Sequence, residues 1–506
     1  MRSSAYPSLY QINTRVLLEE RGNELHRMAT LDDVPDSLLD SLAAHGFEWV
    51  WFLGVWQTGE ASRAVSRSNP EWRAEFLRAL PDLTEDDISG SPYAVRAYTV
   101  HEDFGGDEAL ATLRARLASR GLKLMLDFVP NHIALDHPWV AAHPEFLIQG
   151  DEPLLAEEPQ NYKPVVTAHG DTILAHGRDP YFPGWPDTFQ LNYRHRGLRD
   201  AMIADLVQVA ERCDGVRCDM AMLLLPDVFR RTWGELSVPV DGSAPVDEPF
   251  WPEAVTAVRR NRLDFVFMAE VYWGLEYELQ QQGFDYTYDK RHYDRLHARD
   301  TAGVRGHLHA DLSFQRKSAR FLENHDERRA ADVFAPGMHQ AAAILTFLVP
   351  GLRFFHDGQF SGRKVHVSMH LGRRPSEPVD PVLHAFYERL VGCLRDRPEL
   401  RDGAWRMLDC NPAWHDNATS EQFIAFSWSS DDGRRTLVVV NYSSQQGQCL
   451  VAHAFEALEG ERYTIRDLMG DATYERSREE LSDGALYIDL PGWQFNVFDV
   501  SPSGDF

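Results

Sequence analysis

The sequence predicts an α/β protein: a (β/α)8 TIM barrel with a loop-rich subdomain inserted after its third strand and an antiparallel β-sandwich at its C-terminal end. Three observations carry this. Eight short apolar runs alternate with amphipathic helical patterns up to about residue 400, one interruption of about sixty residues follows the third run, and closely spaced β-rich runs take over afterwards.

The eight runs are SLYQIN (8–13), FEWVWFLGVW (47–56), LKLMLDFV (122–129), GVRCD (215–219), FVFMAEV (265–271), DYTYD (285–289), RFLENH (320–325) and GLRFFHDG (351–358). All but the polar DYTYD are short and continuously apolar, as strands buried on both faces are. Between them, Leu110, Leu113 and Leu117 mark a helix over 107–120 that Gly121 stops. Met202, Leu206 and Val209 mark a second over 198–213, and Asp380 followed by Pro381 opens a third that turns Leu383, Phe386, Tyr387 and Leu390 inward. An open doubly wound sheet is the other way to arrange such elements, but no GxGxxG or phosphate loop follows any strand.

Residues 133–194, rich in Pro, Gly, His and Asp, are too long for a plain connection and read as a subdomain over the barrel mouth. Beyond 400, QFIAFSWS, RRTLVVVNYS, RYTIRDLM, ALYIDLP and QFNVFDV are separated by DDG, SSQQG and SDG turns. The expected division is therefore a barrel over 1–132 and 195–400, an insertion over 133–194 and a sandwich over 401–506.

Composition narrows the function. The 506 residues carry 51 Lys and Arg against 77 Asp and Glu, a net charge of −26, so no nucleic-acid partner is expected. No apolar run is long enough to span a membrane. The five cysteines form no CxxC pair and read as reduced core thiols, and with no apolar leader at MRSSAYPSLYQIN the expected location is cytoplasmic. Oligomeric state is left open.

In a barrel of this kind the chemistry sits where strands end. Reading off the polar residues there gives Asp127, Asn131 and His132; Arg217 and Asp219; Glu270; and Asn324, His325 and Asp326. Arg217 and Asp219 are two apart on a strand and share a face, so the cation can hold Asp219 ionised. A second carboxyl beside it, Glu270, is raised by that neighbour, which is the pairing of nucleophile and general acid/base used by retaining glycosidases. Any one of these acids alone reads as a salt bridge or helix cap. A metal hydrolase is the competing use of such residues, but there is no HExxH, and the His366/His370 pair lacks an intervening glutamate.

The segments DFVPNH (127–132), GVRCDMA (215–221), AEVYW (269–273) and ENHDE (323–327) resemble, in this order, the four signature regions of the α-amylase family, glycoside hydrolase family 13. SPYAVRAYTVHEDFGG (91–106) and FQLNY (189–193) are similar to further family segments, and 92, 51 and 56 residues separate Asp127, Asp219, Glu270 and Asp326 in turn. The resemblance implies that Asp219 is the nucleophile, Glu270 the acid/base and Asp326 the carboxylate that grips the sugar's 2- and 3-hydroxyls. It further implies that Arg217 orients Asp219, that His132 and His325 hydrogen-bond the reacting sugar and that Tyr93 stacks on it.

Two features depart from the family's long-chain amylases. The Lys-His pair that often follows the nucleophile is replaced by Met220, Ala221, Met222 and Leu223, and Asn131 keeps one usual calcium-ligand position beside a short insertion. No cofactor is expected, with calcium the one left open. Trp56, Trp185, Tyr272 and Trp273 are candidate sugar platforms. Arg363, Lys364, Arg373 and Arg374 follow the eighth strand, where barrels commonly bind phosphate, although pairing with nearby carboxylates is the plainer reading. The expected activity is a retaining α-glucosidase-type hydrolysis or transfer on oligosaccharides or small glucosides. A phosphate- or sugar-phosphate-dependent glucosyl or maltosyl transferase is the alternative, and a non-catalytic carbohydrate-binding protein the remote one.

Overall fold

The computed structural model describes residues 4–167, 170–454, 461–482 and 485–502. Eight parallel strands close a barrel in sequence order: β1 (Ser8–Asn13), β2 (Trp49–Leu53), β3 (Lys123–Phe128), β4 (Gly215–Cys218), β5 (Val266–Ala269), β6 (Tyr286–Tyr288), β7 (Ser318–Arg320) and β8 (Leu352–His356). Their side chains are almost wholly buried because helices cover the outside and packed side chains fill the inside. The weakly apolar DYTYD is a strand, with Thr287 and Tyr288 buried.

The seventh strand differs from its expected place, 320–325. It ends at Arg320 because Asn324 turns the chain, its Oδ1 accepting from the backbone N–H groups of Asp326 and Glu327 at 2.9 Å each. The polar residues read as the strand's end are thus the loop beyond it.

Helix α1 (Thr14–Leu25) follows β1. The segment 57–90 holds α2 (Glu60–Ser68) and α3 (Pro70–Ala79). Asn69 caps α3 by accepting from Glu71 and Trp72, and Pro70 takes the first helical position. Helices α4 (Gly106–Ala118), α5 (Arg196–Arg212) and α6 (Pro381–Asp396) lie where the leucine and methionine stripes put them. Asp380 caps α6, its Oδ1 accepting from Val382 and Leu383 at 2.9 and 3.1 Å.

The insertion is more regular than a loop-rich reading implies. Gln149–Gly150, Gly170–Ala175 and Tyr162–Thr167 form an antiparallel sheet, and His132–Ala134 pairs with Thr188–Gln190. These strands are short and one face of them is solvated, which hid them among the Pro and Gly.

After α6 the chain forms a six-stranded and a three-stranded antiparallel sheet. All five expected runs are strands, and Ala404–Leu408, Cys410–Asn411, Gly447–Ala452 and Thr473–Ser477 add to them. The turn expected at 482–484 lies partly outside the described residues. The sandwich is joined to the barrel by buried polar contacts: Trp428 Nε1 donates to Leu348 O at 2.7 Å and Tyr442 OH to Leu296 O at 2.8 Å.

Candidate active site

The ladder between β3, β4 and β5 sets the geometry at the barrel mouth. Asp219 N–H donates to Phe128 O at 2.8 Å and Glu270 N–H to Cys218 O at 3.0 Å, so both carboxylates leave the sheet just past its last rung. Arg217, one rung below and 1 % exposed, reaches up between them. Its Nη1 donates to Asp219 Oδ1 at 2.7 Å and its Nη2 to Glu270 Oε2 at 2.7 Å. The guanidinium therefore serves both carboxylates, where the sequence assigned it to Asp219 alone. Met220, held at φ 43° in the left-handed region, aims its N–H at the same Glu270 oxygen at 2.8 Å, and Tyr272 OH donates to Oε1 at 2.8 Å.

Aromatic rings hold the guanidinium from the other sides: Tyr93, Trp51 and Tyr288 lie 5.0, 5.4 and 5.9 Å from it. His325 is fixed through both ring nitrogens, Nδ1 against Gln11 Nε2 at 2.8 Å and Nε2 against Tyr93 OH at 2.6 Å. Asp326 Oδ2 lies 3.1 Å from the same Nε2. His132 is buried against Trp185, ring centroids 5.1 Å apart. Tyr93, His132, Asp219, Glu270, His325 and Asp326 all line one cavity of about 450 Å³. Arg217 lies directly beneath it.

Burial is the main electrostatic influence. It raises the Asp219 and Glu270 carboxyls above their usual range, with Arg217 opposing it in both and the Asp219 charge raising Glu270 further. Asp326 is raised well above the usual range by burial and then by Glu270. Burial pushes His132 down to about 4 and His325 well below its usual value, so both imidazoles are neutral at pH 7. Asp127, accepting from Gly54 N at 2.8 Å, is pushed up to about 6.

The other candidates separate cleanly. Trp185 and Tyr272 line the cavity, whereas Trp56 is fully buried with its Nε1 on Asp127 O, and Trp273 packs edge-on against Tyr181. Arg373 pairs with Asp82 and Asp87, and Arg374 with Glu20 and Asp357. The Asn131 carboxamide exchanges hydrogen bonds with Gln190 at 3.1 and 3.2 Å, which tie the end of the third strand to the Thr188–Gln190 strand of the insertion. Among the described residues, Asp289, His292 and His307 form one compact group of potential metal ligands, outside the cavity, and Arg320 Nε already donates to Asp289 at 2.9 Å.

Sequence reading missed Gln11 and Trp51, and also Asp187, which lines the cavity. Gln11 was legible as the polar residue inside SLYQIN; Trp51 carried no signal among neighbouring core aromatics.

The fold and this mouth define a class of (β/α)8 barrel with carboxylates paired on one arginine at the strand ends, and the comparisons specify it. The family model "Alpha amylase, catalytic domain" matches residues 84–377, more than half of the chain. The chain belongs to the α-amylase family. An α-amylase of Haloarcula japonica is 24 % identical over 86 % of the chain and 55 % of its own length. An α-1,4-glucan:maltose-1-phosphate maltosyltransferase of Burkholderia pseudomallei is 25 % identical over 57 % of the chain and 21 % of its own length. The chain thus spans about half or less of these curated relatives. A maltogenic α-amylase of Thermotoga neapolitana has the same fold, with TM-score 0.67 at 18 % identity over 98 % of both chains. Among the described residues, no helix is long and apolar enough to cross a membrane.

Proposed function

We propose that the protein cleaves α-glucosidic bonds of oligosaccharides or small α-glucosides with retention, by hydrolysis or by transfer. The observation that carries this is the shared guanidinium: Asp219 and Glu270 each accept a 2.7 Å bond from Arg217, which ties both carboxyls to one point of the mouth, the compact pairing a retaining mechanism uses. Retaining pairs are separated by about 5–5.5 Å, inverting ones by about 6.5–9.5 Å.

Asp219 attacks the anomeric carbon while Glu270 protonates the departing glycosidic oxygen. The anomeric C–O bond breaks as the Asp219 ester forms, and Glu270 then takes a proton from the incoming hydroxyl that displaces Asp219. Asp326 and the neutral His132 and His325 hold the ring hydroxyls as charge develops on the sugar. Arg217 balances the charge that moves between the two carboxylates.

Transfer to phosphate is the second reading, supported by similarity to maltosyltransferases named for maltose 1-phosphate. The arginines offered for it are largely committed elsewhere: of the four cations after β8, Arg373 and Arg374 sit in ion pairs. The five free thiols fit a reducing, cytoplasmic setting.

Product analysis on maltose, maltotriose, isomaltose, trehalose, sucrose and soluble starch, each with and without inorganic phosphate, tests both. Free glucose or maltose without phosphate is expected. A sugar 1-phosphate formed only with phosphate would replace hydrolysis with the second reading.

A further inference from the structure

The cavity continues past the catalytic carboxylates into a region walled by Trp72, Glu75, Trp185, Asp187, His366 and His370. None of these residues has a part in the double displacement. Two of them are set side by side by α2: Ser62 Oγ donates to Asp187 O at 2.7 Å, and one helical turn on, Ser66 Oγ bonds His370 Nδ1 at 2.9 Å.

Asp187 is 3 % exposed and borders the cavity, yet no protein group donates to its Oδ2. A buried carboxyl oxygen without a donor is costly, and native proteins keep few of them. His370 uses Nδ1 on Ser66, and its ring packs 4.5 Å from that of Trp72, so its other nitrogen is the one available to a ligand.

The wall on this side is continuous. Ser89 and Gly90 N–H groups donate to His370 O at 2.9 and 3.1 Å, Gly372 N–H donates to Asp87 O at 2.8 Å, and Ile88 bridges Leu371. The loop after β8 is thereby fastened to the segment after β2. Carboxyl oxygen, imidazole and tryptophan faces are what a pyranose needs, hydrogen-bond partners for its hydroxyls and flat apolar surface for its ring.

Building on the proposed glucoside chemistry, we propose that Asp187 and His370 form a specificity subsite that hydrogen-bonds the hydroxyls of a second glucosyl ring, the neighbour of the reacting one. The substrate then supplies the donor that Asp187 lacks within the protein. A site built to pair with a hydroxyl discriminates strongly against ligands that do not bring one.

The test compares Asp187→Ala with wild type on maltotriose and on 4-nitrophenyl α-glucoside, which has no second sugar. Loss of one such hydrogen bond raises KM for maltotriose about tenfold with kcat within about twofold, leaves the aryl glucoside unchanged, and is largely reversed in Asp187→Asn. Unchanged KM for maltotriose, or an equal loss on both substrates, overturns the subsite. Calorimetric titration of maltotriose into Asp219→Asn and into the Asp219→Asn/Asp187→Ala double variant reads the subsite without turnover. Weaker binding to the double variant upholds it and equal binding overturns it. A wild-type protein that binds maltotriose but turns over no α-glucoside instead contradicts the proposed reaction.

Discussion

Asp219 and Glu270 act on groups that change charge only during the reaction, so removing either acid leaves binding and folding in place and removes rate. Asp219→Asn and Glu270→Gln should each lower kcat by about three orders of magnitude or more, with an unchanged circular dichroism spectrum. Their environments also set the pH profile. Asp219 works ionised and Glu270 works protonated, and burial raises both, so the bell of kcat/KM against pH lies above that of two ordinary carboxyls. Glu270→Gln should flatten the alkaline limb of whatever activity remains. A limb that survives this substitution would mean another group donates the proton.

Asp187 gives a prediction of opposite sign. Burial pushes its carboxyl up to about 7 from the ordinary value of 3.8. In the unfolded chain it ionises near pH 4, whereas in the folded protein it ionises near 7, so folded protein binds the extra proton between these values and loses stability as pH rises through them. Asp187→Asn removes that penalty. Thermal melts should show the variant more stable than wild type at pH 8, by up to about 4 kcal/mol, with the gain gone at pH 4. A variant no more stable at pH 8 would show that the carboxyl is solvated.

Among the elements, legibility followed periodicity. The stripes at Leu110/Leu113/Leu117 and Met202/Leu206/Val209 announced α4 and α5, and Asp380-Pro381 announced α6, because one face of each helix meets the barrel. Helices α2 and α3 were missed, α3 although Asn69-Pro70 is the same kind of start as Asp380-Pro381 and Phe76 is buried, and α2 because it buries only Ser62 and Ser66. A helix whose buried face is polar has no apolar stripe to read. For the same reason Asp187, which that polar face supports, lay outside the sequence reading, and His370 entered it only as half of a rejected metal pair, while Arg217, Asp219, Glu270 and Asp326 stood out as charges ending apolar runs. The cap on α6 offers a test at this scale. Asp380→Ala removes two accepted N–H bonds and should cost about 1 kcal/mol in denaturant unfolding without changing kcat. A change in kcat would mean that the β8 loop preceding the helix depends on the cap.

In the whole molecule the barrel and the sandwich share a buried boundary. Trp428, fully buried, donates to Leu348 O in the barrel, and its ring meets Tyr6 edge-on with centroids 5.0 Å apart. Trp428→Ala should destabilise by about 3–5 kcal/mol, and the variant's residual folded fraction should keep wild-type kcat because the mouth lies at the C-terminal ends of the barrel strands. The sequence announced both bodies through the change of period near 400. Contacts such as Trp428 to Leu348 join residues 80 apart in the chain, and no local pattern encodes them.

The covalent glycosyl ester on Asp219 is tested most directly by trapping it. Glu270→Gln incubated with an α-glucosyl fluoride forms the ester without needing the acid and, lacking the base, hydrolyses it slowly. Peptide mapping by mass spectrometry should find one hexosyl adduct, on the peptide carrying Asp219 and absent from the Asp219→Asn/Glu270→Gln double variant. Turnover of the fluoride with no adduct, or an adduct on Asp326 or Asp127, would contradict the account.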